Sequence, residues 1–271
     1  MKPRPFDYAR PDTVDETLAL LAEHGDDARI LAGGQSLLPM LNLRLLDVGV
    51  LIDISRIAEL DAIHDRDDKI EIGAAVTQNK LMAWPALAQK LPLLAAALPF
   101  VGHFQTRNKG TVCGSIAHAD PSSEIPLALA VCGGEVVLRS RRGSRVLAAA
   151  DFQQDMLTTA REPDELITAV RFPVTGGRGV AFREVARRHG DFAIIAIAAA
   201  LDDGAVRLGV GGMAGRPMVR RLAMDNVAVA IGEWAEELEG YEDLHASAAL
   251  RRDLFRNLAP PVIAEAQQCA A

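Results

Sequence analysis

The chain of 271 residues reads as an α+β protein on three observations. Its opening alternates helix, strand, Gly-Gly turn, short helix and strand. Its middle holds apolar segments too short for spanning helices and bounded by Gly and Pro. Its last third places strand-like segments before helical ones, the order of a segregated α+β unit.

Taken in order, Thr13-Val14-Asp15-Glu16 is a capping-box signal. Val14, Leu18, Leu21 and Ala22 then form one helical stripe, which Gly25 stops. Residues 28–32 read as a strand running into Gly33-Gly34, and Ser36 is placed to cap a short helix through Leu38-Pro39-Met40-Leu41. Residues 48–54 form the next strand. Lys69-Ile70-Glu71-Ile72-Gly73 alternates like a half-buried strand. Residues 77–83, 91–98 and 125–131 read as helices, with Pro85, Pro92 and Pro99 as punctuation; 135–140, 145–148 and 165–172 read as strands. The run Pro173-Val174-Thr175-Gly176-Gly177-Arg178-Gly179 marks the domain boundary, dividing 1–175 (about 1–55 and 56–175) from 176–271. Beyond it, 179–188, 194–201 and 205–210 are strand-like and 223–270 helical.

Composition narrows the function. A net charge of −7 argues against a broad phosphate-backbone footprint, so no nucleic-acid partner is expected. The apolar runs 91–102 and 192–201 fall well short of the roughly 20 residues of a membrane helix. The start Met1-Lys2-Pro3-Arg4-Pro5-Phe6-Asp7 lacks a signal-peptide core, which points to a cytoplasmic location without membrane insertion. Cys113, Cys132 and Cys269 are isolated, so neither an iron–sulfur cluster nor a disulfide framework is expected. The histidines show no metal-binding spacing, and no nucleophile–base pair stands out; the expected sets of metal and catalytic residues are empty.

Two glycine-rich segments carry the chemistry: Ile30-Leu31-Ala32-Gly33-Gly34-Gln35-Ser36 and Lys109-Gly110-Thr111-Val112-Cys113-Gly114-Ser115. Adjacent glycines let a backbone turn and approach a ligand closely, and successive N–H groups make an anion-binding concavity. Two such segments suit a diphosphate held between them. A third glycine run, Gly209-Val210-Gly211-Gly212-Met213-Ala214, matches the dinucleotide fingerprint in letters only. Pro217 does not suit the interior of the helix that should follow it, and too little chain remains for a doubly wound domain.

Ala32-Gly33-Gly34-Gln35-Ser36-Leu37-Leu38-Pro39 resembles the first FAD-diphosphate loop of the medium, FAD-binding subunits of molybdenum hydroxylases, the family of xanthine dehydrogenase-like enzymes, aerobic carbon monoxide dehydrogenase and bacterial nicotine dehydrogenases. Residues 101–121, from Val101-Gly102-His103 to Ala119-Asp120-Pro121, resemble its second FAD segment. Asp53-Ile54-Ser55-Arg56-Ile57, Arg187-Arg188-His189-Gly190-Asp191-Phe192-Ala193, Gly211-Gly212 with Pro217, and His245-Ala246-Ser247-Ala248 are similar to further family stretches, in order along the chain.

The resemblance implies a two-part FAD domain of the covalent-flavin-oxidase type, here with noncovalent FAD, followed by a small α+β domain with an antiparallel sheet and helices. It implies diphosphate contacts from Ala32 to Ser36 and from Thr111, Val112, Cys113, Gly114 and Ser115, with Ile30, Leu31, Val101 and Gly102 alongside. It places Glu124 near the adenosine ribose, Asp120 as a second acidic candidate, Ile167 as an apolar wall, and Arg183 near the flavin ring, where an outward-facing strand arginine is the other reading. The family usually has Thr-Ile-Gly-Gly where this chain has Thr111-Val112-Cys113-Gly114; a positive φ at Cys113 would cost about 1 kcal/mol or more. The implied activity is electron transfer. Electrons come from a 2Fe–2S subunit and pass to an external acceptor, while substrate is oxidised on a large molybdopterin subunit. The implied assembly is a heterotrimer or a dimer of heterotrimers. A self-contained FAD oxidase or reductase and a non-catalytic nucleotide-binding scaffold are the alternatives.

Overall fold

The computed structural model describes residues 2–269. The first unit holds β1 (Asp7–Ala9), α1 (Val14–His24), β2 (Ala28–Leu31), α2 (Leu37–Asn42) and β3 (Val50–Asp53). Its three strands are parallel in the order β1-β3-β2. The Thr13 hydroxyl caps α1 by accepting from the Glu16 N–H at 3.2 Å. The Glu16 carboxylate reaches past the cap to the Asp12 N–H at 2.8 Å. The buried stripe is Val14, Thr17, Leu18 and Leu21, with Ala22 exposed. Thr17 tolerates burial because its hydroxyl donates to the Thr13 carbonyl at 2.9 Å.

The second unit runs through β4 (Ile63–Arg66), β5 (Lys69–Gly73), α3 (Gln78–Met82), α4 (Leu87–Lys90), α5 (Pro92–Ala97), α6 (Phe104–Arg107), α7 (Val112–His118), α8 (Glu124–Cys132), β6 (Glu135–Ser140), β7 (Gly143–Ala148), α9 (Ala149–Phe152), β8 (Gln153–Asp155), β9 (Thr158–Thr159) and β10 (Leu166–Pro173). Its main sheet is antiparallel, ordered β4-β5-β10-β6-β7. Arg171 and Glu71 are direct cross-strand partners and form an ion pair at 2.7 Å. Helix α8 is buried on nearly every side, which is why it reads as a continuous apolar run.

The last unit is the antiparallel sheet β11 (Val180–Val185), β12 (Ile195–Asp202), β13 (Ala205–Gly211) and β14 (Met218–Ala223), with α10 (Val227–Glu237) and α11 (Ala248–Cys269) on one face. Alternation along β12 explains the apolar run of the sequence. Ala196, Ala198 and Ala200 join the core shared with α5 and α8, while Ile195, Ile197 and Ala199 join the core under α10 and α11. A strand buried on both faces shows no polar positions. Within the second core Trp234 meets Phe255 edge-on, with ring centroids 5.1 Å apart.

One expectation changes here. The tail is not helical from 223: β14 occupies 218–223, hidden in sequence by its two arginines, and residues 238–247 interrupt the helices. The expected last helical residue, Ala270, lies outside the described residues. The glycine run at 209–212 ends a strand and leads to another strand, not to a helix. Its physical use is packing, because a Cβ on Gly209 would lie 2.2 Å from Val131 Cγ2 on α8. Gly209→Val is expected to lower unfolding stability by about 1–3 kcal/mol through overpacking, measured by denaturant titration. An unchanged midpoint would contradict this packing role.

Candidate functional site

The two glycine segments touch. The first leaves the C-terminal end of β2, where α/β sheets commonly bind ligands, and turns at Gly34 with φ of 70°. Gly33 lies against the second segment: a Cβ there would fall 2.2 Å from the Lys109 carbonyl oxygen and 2.7 Å from Gly110 Cα. No side chain larger than glycine's hydrogen fits this crossing. The second segment is held from behind by residues 76–78. Gln78 N–H donates to Gly110 O at 2.8 Å, Val112 N–H donates to Val76 O at 3.1 Å, and Thr77 bridges Thr111. Among the described residues, the N–H groups of Gly33, Gly34, Gln35 and Ser36 donate to no protein acceptor. Ser36 occupies the N-cap position of α2, but its hydroxyl caps nothing there and remains free.

Between these segments lies a cavity of about 680 Å³, within the range of small-ligand sites. Ile30, Ala32, Gly33, Gly34, Gln35 and Ser36 line it from one side. Val101, Gly102, Thr111, Cys113, Gly114 and Ser115 line it from the other, with Glu124 and Ile167 between. Four candidates do not line it. Leu31 packs beneath the turn, where a Cβ on Gly34 would be 3.1 Å from its Cδ1. Val112 points into the core. Asp120 closes its own turn, accepting from the Ser122 N–H at 2.8 Å. Arg183 projects to the opposite face of β11, where it pairs with Glu265 of α11 at 2.8 Å. Strand alternation accounts for this last placement. Phe182 faces the cavity-bearing core, so its neighbour Arg183 faces the other way and exposes half its side chain.

The second segment is the start of a helix. Thr111 caps α7 by accepting from the Gly114 N–H at 2.9 Å. Cys113 is helical with negative φ, so the strain expected of a left-handed cysteine does not arise. Its buried thiol donates to Ile72 O at 3.5 Å, and burial pushes its pKa up to about 12, which makes it an unreactive packing group.

Sequence reading missed several lining residues. Gln78, Arg29, Arg161, His118 and the loop Gly190-Asp191-Phe192 all face the cavity. Arg161 donates to the carbonyls of Glu162 and Glu165 at 2.9 and 2.8 Å. Burial and the nearby Arg29 hold its pKa below the ordinary value, yet a guanidinium stays charged. The two arginines therefore give the cavity a cationic stretch. Burial lowers the His118 pKa, favouring the neutral imidazole. Phe192, 66% exposed, comes to the cavity because Gly190 packs against Gly102 and His103. A Cβ at Gly190, where φ is 84°, would lie 2.6 Å from the His103 ring and 3.0 Å from Gly102 O. In sequence Phe192 merges with the apolar run of β12; the preceding Gly190 was the available signal.

The last unit braces these walls through Arg251 of α11, 1% exposed. Its Nη1 donates to Ile194 O and, at 2.8 Å, to Gly212 O; its Nη2 pairs with Asp243 at 2.6 Å. Ile194 follows the Phe192 loop. Gly212 N–H donates in turn to Pro121 O at 2.8 Å, just before Ser123 and Glu124.

Residues 4–175 match the family described as the FAD binding domain in molybdopterin dehydrogenase. The chain is 41% identical over 195 residues to caffeine dehydrogenase subunit beta of Pseudomonas sp. (strain CBB1), covering 71% of this chain and 66% of that protein. It is 36% identical over 284 residues to the 6-hydroxypseudooxynicotine dehydrogenase complex subunit alpha of Paenarthrobacter nicotinovorans, covering 98% and 96%. A solved structure of carbon monoxide dehydrogenase from Hydrogenophaga pseudoflava superposes with a TM-score of 0.94 at 31% identity, over 100% of both chains.

Glu124, 6% exposed, is pushed up to about 7 by burial, with Asp120 adding to the rise. Glu184, turned toward the same core, is pushed up to about 8 by burial and by Glu124. Glu124 thus holds its proton more tightly in the folded chain than in the unfolded one. Its contribution to stability is full below the ordinary value of 4.5 and is lost as pH rises through about 7. The ligand-free Glu124→Gln variant is expected to melt with wild type near about pH 4 and roughly 5 °C higher near about pH 8. A melting difference that does not grow with pH would count against a strained buried carboxyl.

Proposed function

Since the chain belongs to the FAD-binding family of the molybdopterin dehydrogenases, we propose that it is the electron-transfer flavoprotein subunit of a molybdenum hydroxylase complex. The observation that carries this reading is the crossing of Gly33 on Gly110 beside a row of unpaired N–H groups. The groups present fit a flavin dinucleotide. Unpaired N–H groups and free hydroxyls suit a diphosphate, the buried Glu124 can accept from ribose hydroxyls, and the volume is adequate. Bound flavin supplies electron transfer in steps of one or two.

The chain's own part is to bind, orient and shield. The segment from Ala32 to Ser36 and the α7 start at Thr111, Cys113, Gly114 and Ser115 hold the diphosphate from two sides, with Ile167 as an apolar wall. Phe192 sits where a planar ring can be covered from solvent. In this reading electrons arrive from a 2Fe–2S subunit and leave to an external acceptor, and substrate chemistry belongs to a large molybdopterin subunit, in a heterotrimer or a dimer of heterotrimers. Residues 1–175 hold the cofactor, and 176–271 brace it and supply Phe192. We assign the complex to the cytoplasm; among the described residues no helix is long and apolar enough to cross a membrane.

Purified full-length chain is expected to be yellow, to carry FAD, and to oxidise no substrate until an iron–sulfur and a molybdopterin subunit are added. Substrate oxidation by the isolated chain would favour a self-contained flavoenzyme. A bound flavin that reduced partner cannot bleach would favour a scaffold. Gly33→Ala is expected to raise the FAD dissociation constant at least about tenfold, or about 1.4 kcal/mol, in a flavin-fluorescence titration. Unchanged affinity would remove the crossing from the binding site.

A further inference from the structure

Two arginines on the cavity wall lack a carboxylate partner among the described residues. Arg29, at the head of β2, and Arg161, just after β9, both line the cavity and are both half-buried. Their side chains bond to backbone carbonyls alone. Arg29 Nη1 donates to Asp26 O at 2.7 Å and to Ala28 O at 2.8 Å. Arg161 Nη1 donates to Glu162 O at 2.9 Å, Pro163 O at 3.2 Å and Glu165 O at 2.8 Å. The Nε and Nη2 groups of both have no protein acceptor, and none is a buried unpartnered atom; they stay open to solvent. Each guanidinium is thus fixed at one nitrogen and free at the other two.

The carboxylates on the same wall do not answer these charges. Glu165 is taken by Arg145 at 2.7 Å. Asp191 is taken by Arg188 at 3.1 Å and by Arg187 at 3.3 Å. Glu124 is pushed up to about 7 and is largely protonated below that pH. Burial depresses the Arg161 pKa and Arg29 adds to the effect, so the two cations feel each other. Like charges held together without a counter-charge raise the free energy of the empty cavity, and an entering anion lowers it. The chain as a whole carries a net charge of −7, so this stretch is local and opposite in sign to the rest of the molecule. A cleft lined by one sign of charge concentrates its field on a ligand of the other sign.

We propose that Arg29 and Arg161 are cofactor-binding residues that act through charge, two fixed cations that draw the anionic diphosphate into the cavity and balance it once bound. The inference rests on the cavity being the flavin dinucleotide site. It adds net charge to a cradle whose backbone N–H groups and hydroxyls are neutral. The action is across the cavity, not by contact. At about 3.3 Å per strand residue, the Arg29 backbone lies about 10 Å from the start of the turn at Ala32, a span over which charges interact when salt is low. The carbonyl anchors hold both guanidiniums in place before ligand arrives.

The test uses full-length chain stripped of flavin, titrated separately with FAD and with ADP, which shares the diphosphate and adenosine. Titrations are run in about 0.01 M and about 1 M NaCl, between which the screening length falls from about 30 Å to about 3 Å. Arg29→Met and Arg161→Met keep an apolar stem without the charge. Each is expected to bind both compounds about 3- to 10-fold more weakly than wild type at low salt, and within about twofold of it at high salt. Arg29→Lys and Arg161→Lys keep the charge without the planar fork and are expected to stay within about twofold of wild type at both. Wild-type affinity in the Met variants at low salt overturns the proposal. A loss that high salt leaves unchanged, or that Lys does not restore, also overturns it, because the guanidinium would then act by contact or by bracing the carbonyls it holds. A loss for FAD without one for ADP overturns it too, since the diphosphate lies in the half they share. If Arg161→Met does not fold, the two Arg29 variants decide. Failure of wild-type chain to bind either compound would instead refute the cofactor reading itself.

Discussion

The site depends on one steric constraint, the passage of one backbone directly over another at Gly33 and Gly110. Two segments distant in sequence approach until a single added methyl group would overlap a carbonyl oxygen. That proximity aims unpaired amides of the β2–α2 turn and the capped start of α7 into a common space. The nearby elements serve this crossing. The bridge from 76–78 fixes the second segment from behind, and the parallel three-stranded sheet delivers the first at a strand end.

The C-terminal unit contributes little lining but much restraint. Its sheet lies close to α8 because alanines on β12 and Gly209 on β13 face that helix. Small side chains permit a close approach and a dense interface, which resists deformation. Through Arg251 the unit grips Ile194 and Gly212, and through them the two segments that carry Phe192 and Glu124 to the cavity. Removing this buried guanidinium would leave two carbonyls and the Asp243 carboxylate without its donors. The unit is thus coupled to the site chiefly as a brace, its own part of the wall being the loop Gly190-Asp191-Phe192.

Much of the secondary structure is readable locally. The Thr13 cap, the alternation of β5 and the Gly25 stop depend on neighbours within a few residues. β14 escaped because an edge strand with Arg220 and Arg221 carries no apolar alternation, and its pairing with β13 is a tertiary fact. Helix α7 escaped because its glycine and cysteine suggested a loop, whereas the Thr111 cap makes a helix N-terminus of the same residues. Arg183 shows the limit for side chains. Its position on a strand was legible, but which face of that strand meets the cavity depends on how the sheet docks.

The sequence alone determined the fold class, the two glycine-rich segments and the resemblance that joins them, because glycine spacing, caps and periodicity are local properties. It also excluded a dinucleotide helix after Gly209. Only the tertiary structure decided that Gly33 meets Gly110, that Gln78 lines the cavity, and that Arg183 turns away. Those outcomes depend on which faces of separately formed elements are buried against one another, and residues far apart in the chain set that choice jointly.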